Sequence, residues 1–138
     1  VNGKISELQA AMGLAVLPYM ETIIAERKRV VDFYNQHLNL DKIQTLKIRV
    51  NTQWNYSYYP VVFKDEVTLL QVQKALNAEQ IFPRRYFYPS LNTVDYLSGQ
   101  KMSVSESIAA RVLCLPLYAD LSKNDLVQIV EILNANLC

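Results

Sequence analysis

The stretch Asn2-Gly3-Lys4-Ile5-Ser6-Glu7-Leu8-Gln9-Ala10-Ala11-Met12-Gly13-Leu14 opens a long helical pattern. Leu8, Met12, Ala15, Tyr19 and Ile23 follow at intervals of four, three, four and four, which keeps them on one face of a helix. The pattern runs on through Val30 and Tyr34 to Leu38, with Glu21, Glu26, Arg27, Lys28, Arg29 and Asp32 on the polar side. Pro18 interrupts it. A proline removes one backbone donor and crowds the preceding turn, so a kink or break is expected near Leu17. One kinked helix and two consecutive helices both satisfy the pattern. The small residues Ala10, Ala11 and Gly13 let another element approach closely, whether a second domain, a second subunit or this domain's own core. Asn2 stands where an Asn commonly precedes or caps a helix.

Downstream, residues 43–50 alternate partially and predict a strand. Residues 56–63 are aromatic and β-branched and predict a second, with Pro60 pointing to a sheet edge or a bulge. Asp65 is placed to cap a helix over 66–78, burying Leu69, Leu70, Val72 and Leu76. Residues 81–86 form a short strand candidate broken by Pro83, and 87–103 read as a long irregular loop of the kind that carries function or moves. A helical turn over 105–110, a strand over 112–115 ended by Pro116, and a Ser122-capped helix through Leu137 complete the chain. This order predicts an α+β domain: a long N-terminal helix, then a small, mostly antiparallel sheet with helices on one side.

Fourteen Lys and Arg against thirteen Asp and Glu leave a net charge of +1, which gives no bulk attraction to nucleic acid or to an anionic membrane. Nothing in the sequence approaches the run of about 18 apolar residues that a membrane span requires, so none is expected. Cys114 and Cys138 have neither metal-ligand nor disulfide-framework spacing; Cys114 reads as a small buried hydrophobe, and a reducing cytosol suits the pair. Nothing in the sequence points to a metal site. His37, the only histidine, falls at the end of the long helix, where a cation complements the dipole. A catalytic role for it would need a partner that the sequence does not show.

Two further blocks stand out, Ile81-Phe82-Pro83-Arg84-Arg85-Tyr86-Phe87-Tyr88-Pro89-Ser90-Leu91-Asn92 and Ala110-Arg111-Val112-Leu113-Cys114-Leu115-Pro116-Leu117. With the opening stretch they resemble, in order and across essentially the whole chain, three signature regions of the DegT/DnrJ/EryC1/StrS sugar aminotransferases. The resemblance implies the C-terminal small domain of a fold-type I, pyridoxal-phosphate (PLP) enzyme, with residues 1–138 as that domain. The larger domain, which bears the Schiff-base lysine, lies upstream in that family, so the chain reads as a piece of a longer protein. By the same resemblance the parent is a cytoplasmic homodimer of cell-envelope or glycan biosynthesis. It moves an amino group, typically from glutamate, to a keto-deoxy sugar carried on a nucleotide. The chain alone is expected to be inert and not to hold PLP. An alternative is a non-catalytic sugar-nucleotide binding or regulatory homologue on the same scaffold; an unrelated α+β interaction module is a weaker one.

The resemblance assigns Asn2 to the phosphate of PLP in the neighbouring subunit. The chemistry agrees, because a carboxamide is a neutral donor beside the positive end of a helix. Arg84, Arg85, Tyr86 and Tyr88 form a local basic and aromatic cluster. Guanidinium groups grip phosphates with forked geometry, while tyrosine offers a ring and a hydroxyl, so the cluster suits a sugar nucleotide. A surface corner whose arginines pair with carboxylates fits the same residues. Asn92 completes the substrate-binding set. It stands where many members have His, and an amide can donate to a sugar hydroxyl or phosphate but cannot titrate.

Overall fold

The computed structural model describes residues 3–97 and 99–137. Helix α1 (Glu7–Val16) begins at Ser6, whose hydroxyl accepts from the Gln9 N–H while the Gln9 carboxamide oxygen accepts from the Ser6 N–H. This reciprocal box satisfies two otherwise orphaned donors. It also corrects the reading in which Asn2 caps this helix; Asn2 itself lies outside the described residues. Pro18 acts as the sequence requires. A 3₁₀ turn over Leu17–Tyr19 separates α1 from α2 (Met20–His37), so there are two consecutive helices rather than one.

The two helices differ in what they touch. No residue of α1 is buried; Leu8 is 72% and Met12 62% exposed. Only from Val30 onward does α2 enter the core, through Val30, Val31 and Tyr34, with the Tyr34 hydroxyl donating to the Pro116 carbonyl at 2.8 Å. His37 ends α2 with its ring stacked on Phe33 and its Nδ1 2.8 Å from the Phe33 carbonyl. The helical stretch Glu7–His37 spans 31 residues and includes a window of mean hydropathy 1.4, none of it buried. By length and composition that is enough to cross a membrane, which corrects the expectation of no such segment. Gln9, Pro18 and Glu21 break the apolar run, but averaged over a window their neighbours outweigh them.

Among the described residues three strands form one antiparallel sheet, in the order β1 (Gln44–Thr45), β2 (Tyr59–Val62), β3 (Val112–Leu115). The first two are shorter than the sequence pattern predicts. Pro60 lies in the central strand, not at an edge, opposite Cys114. The Phe63 N–H donates to the Arg111 carbonyl, so alternate residues of β2 bond toward β3 and Pro60 turns its nitrogen the other way. There β1 has already ended: its Thr45 pairs with Val61. The missing donor therefore costs no ladder bond.

Asp65 caps α3 (Glu66–Ala78) by accepting from the Thr68 N–H. That bond, with the Thr68 side chain, holds the Asp65 carboxyl below its usual range. Leu69, Val72 and Leu76 are buried as expected, but Leu70 is 48% exposed and is corrected to the solvent side. Helix α4 (Ser103–Arg111) runs straight into β3, and Ser122 caps α5 (Lys123–Ala135). One core joins Val30 and Tyr34 of α2, Val61 and Phe63, Leu69 and Leu76 of α3, Leu113 of β3, and Leu126 and Leu133 of α5. Each such side chain contributes roughly 1.5–3 kcal/mol by burial.

Candidate functional site

Of the strand expected over 81–86, one bridge survives. The Cys114 N–H donates to the Arg84 carbonyl at 2.8 Å, and the Arg84 N–H returns a bond of 3.2 Å. β3 therefore pairs with β2 on one side and holds Arg84 on the other. Cys114 is buried beneath this bridge; burial pushes its thiol up and a Tyr86 backbone hydrogen bond draws it partly back, so it is not activated as a nucleophile.

The adjacent Arg84 and Arg85 take different partners. The Arg84 guanidinium donates to the Tyr86 hydroxyl and lies 5.6 Å from the centre of that ring. This phenol raises the Arg84 pKa further, and among the described residues no carboxylate forms an ion pair with Arg84. Tyr86 in turn meets Tyr58 edge-to-face, with centroids 5.6 Å apart and planes at 87°, and Phe87 at 5.2 Å. Arg85 points inward. Its Nη2 donates to Glu66 Oε1 at 2.8 Å and to the Ala110 carbonyl at 2.9 Å, and its guanidinium lies over the Tyr88 ring. With only 15% of its side chain exposed, Arg85 ties this segment to the start of α3 and the end of α4.

Tyr86 stands between two clefts. One, of about 390 Å³, is lined by Tyr58, Arg84, Tyr86, Leu117 and Tyr118, among others. It combines the Arg84 cation with several phenol rings. The other, of about 790 Å³, is mostly apolar: Tyr86, Phe87, Leu91 and Asn92 face Met102 and Ile108 of the α4 region. No lysine lines either cleft. Among the described residues no group of three His, Cys, Asp or Glu could hold a metal ion.

Asn92 lines the second cleft. Its carboxamide nitrogen donates to Glu106 Oε1 at 2.7 Å and to the Gln100 carbonyl at 3.0 Å; its oxygen accepts from the Ser90 hydroxyl at 2.6 Å. The structure thus gathers Arg84, Arg85, Tyr86, Tyr88 and Asn92 on one continuous segment but gives them different surroundings. Asn2, expected at a cofactor phosphate, lies outside the described residues. Sequence reasoning missed Glu66, Glu106, Tyr58 and Tyr118. Each lies at least 14 residues in sequence from its partner in this region, and no local spacing announces such a pairing.

Residues 1–134 match the model of the DegT/DnrJ/EryC1/StrS aminotransferase family. A dTDP-4-amino-4,6-dideoxy-D-glucose transaminase of Escherichia coli is 33% identical over 96% of this chain, and the chain spans 38% of that relative's length. The solved structure of DesI in the presence of its TDP-sugar product is 29% identical, with a TM-score of 0.81 over 95% of this chain and 35% of its own. A sugar aminotransferase of Streptococcus pneumoniae solved in its PLP form has the same fold at 19% identity, with a TM-score of 0.82 over 96% of this chain and 36% of its own. The blocks at 2–14, 81–92 and 110–117, the helix–sheet order and these likenesses converge: the chain belongs to the DegT/DnrJ/EryC1/StrS aminotransferase family.

Proposed function

We propose that this chain is the C-terminal domain of a longer PLP-dependent aminotransferase acting on a nucleotide-linked keto-deoxy sugar, with glutamate as amino donor. The observation that carries the reading is the Arg84–Tyr86 corner: a guanidinium with no carboxylate partner among the described residues, set among Tyr58, Tyr86 and Tyr118. A diphosphate asks for the cation, and a sugar or base asks for the rings. Arg84, Arg85, Tyr86, Tyr88 and Asn92 then form one lobe of the substrate site, with Arg84 and Tyr86 nearest the ligand. The relative named for dTDP-4-amino-4,6-dideoxy-D-glucose makes a 4-keto-6-deoxy sugar on dTDP the first substrate to try.

PLP supplies the electron sink for amino transfer when bound. The clefts described here do not fit it by themselves, because neither is lined by lysine. The reading therefore assigns the lysine to the remainder of the longer protein and a phosphate contact across a homodimer interface to Asn2. The same reading buries the exposed apolar side chains of α1 against that remainder and takes the enzyme as cytoplasmic, with no membrane or nucleic-acid partner.

The test is turnover by the full-length protein given PLP, glutamate and the dTDP-linked keto sugar, with the amino sugar detected by mass. Asn2→Ala should then weaken PLP retention about ten- to a hundredfold, the equivalent of a hydrogen bond to a charged group. Absence of any amino-sugar product, with nucleotide-sugar binding intact, would favour the non-catalytic homologue.

A further inference from the structure

The second cleft has two banks, and side chains tie them together. One bank is the segment from Tyr86 to Asn92; the other is the residues leading into α4 and that helix itself. Ser90 is 7% exposed, and its hydroxyl lies 2.7 Å from the Ser105 hydroxyl of the opposite bank. Beside it, Asn92 reaches across to Glu106 at 2.7 Å. The same Glu106 oxygen accepts from the Met102 N–H at 2.8 Å, capping the start of α4. Both donors of the Asn92 amide are engaged, one by Glu106 and one by Gln100, and its oxygen is taken by Ser90. An amide so committed has no donor left for a substrate. Gly99 belongs to the same arrangement: a Cβ there would stand 2.7 Å from the Asn92 carbonyl oxygen, so the returning loop passes too close for any side chain.

We propose that Asn92 and Glu106 are positioning residues, a cross-bank tie that holds Tyr86, Phe87 and Leu91 in place to receive the nucleotide sugar, and that Asn92 is not itself a ligand. This rests on the reading of the site as a nucleotide-sugar lobe. The carboxylate gives the tie its direction, because Glu106 can only accept and Asn92 offers the N–H. Since Asn92 and Met102 use the same oxygen of Glu106, a glutamine in its place can keep both bonds.

The experiment uses the full-length protein with Glu106→Ala, Asn92→Ala, the double variant and Glu106→Gln. Two readouts are taken: backbone hydrogen exchange over residues 86–92, and the Kd of dTDP-4-amino-4,6-dideoxy-D-glucose. Each alanine variant should speed exchange over 86–92 and raise the Kd about tenfold. The double variant should be no worse than either single one, because the pair acts as a unit. Glu106→Gln should return both readouts to within about twofold of the unsubstituted protein. A raised Kd for Asn92→Ala with an unchanged one for Glu106→Ala would make Asn92 a direct ligand and overturn the proposal. Additive losses, or unaltered exchange in both single variants, would overturn it as well. If the unsubstituted protein binds no nucleotide sugar, the functional reading fails, and exchange over 86–92 alone decides the tie.

Discussion

The Arg85 guanidinium lies 3.7 Å above the centre of the Tyr88 ring. The same group bonds Glu66 and the Ala110 carbonyl, so a ring, a carboxylate and a backbone oxygen converge on one side chain. Among the described residues its neighbour Arg84 bonds a phenol and no carboxylate. Two adjacent arginines of one motif therefore have different work, and substitutions should separate them.

Arg85→Lys should destabilise the domain by about 1–2 kcal/mol, because an ammonium cannot lie flat on Tyr88 while reaching two acceptors. Arg84→Lys should stay within about 0.5 kcal/mol of the starting protein. Urea unfolding of both variants checks this. Equal losses would mean that both arginines are structural.

Arg84→Gln removes the site's cation and little volume. Nucleoside-diphosphate affinity of the full-length protein should fall about tenfold, with the unfolding midpoint unchanged. Calorimetric titration with dTDP is the measurement, and unaltered binding would remove Arg84 from the site.

Leu69 and Leu70 are adjacent in sequence and opposite in environment. Leu69 is fully buried, and Leu69→Ala should cost about 2–5 kcal/mol. Leu70→Ala in the 138-residue chain should cost under about 0.5 kcal/mol. A large loss at Leu70 in the full-length protein alone would show that the remainder of that protein covers it.

The protein should lose stability at alkaline pH. Burial pushes the Tyr59 phenol up to about 12, and the more deeply buried Tyr34 shifts the same way. The unfolded phenol titrates near 10, so the folded state holds its proton more tightly. The stabilisation is complete below about pH 10 and is lost as pH rises through about 12. The urea midpoint should be level between about pH 7 and 9 and fall above about pH 10. Tyr59→Phe should flatten part of that fall, and an equal midpoint at about pH 11 would contradict it.

Leu8 and Met12 are exposed on α1. Sedimentation of the 138-residue chain should show concentration-dependent association, and Leu8→Glu with Met12→Glu should reduce it. Monomeric behaviour at high concentration would count against the expectation.

Much of the fold is written locally and could be read from the chain. The 66–78 helix is announced by Asp65, the break near Leu17 by Pro18, the last helix by Ser122, and β3 by a four-residue apolar run ending at Pro116. These signals act within one turn or a few residues, through capping bonds and proline sterics. The strand ends were less legible, because pairing stops where the partner strand stops: residues 43–50 had a pattern but kept only Gln44–Thr45.

The site divides the same way. The basic and aromatic character of 84–92 is a property of the sequence alone, and so is the likeness that identifies the family. Which arginine pairs with a carboxylate was decided only by tertiary structure. That choice depends on Glu66 and Ala110, 19 and 25 residues away, arriving on one side of the segment, and on Tyr58 and Tyr118 arriving on the other. Asn92 shows the same limit. Its amide suits a substrate as well as a structural tie, and only the return of the chain past Gly99 to Glu106 engages its donors. Hydrogen-bonding capacity is a property of the residue type, whereas its partners are set by which distant segments pack beside it.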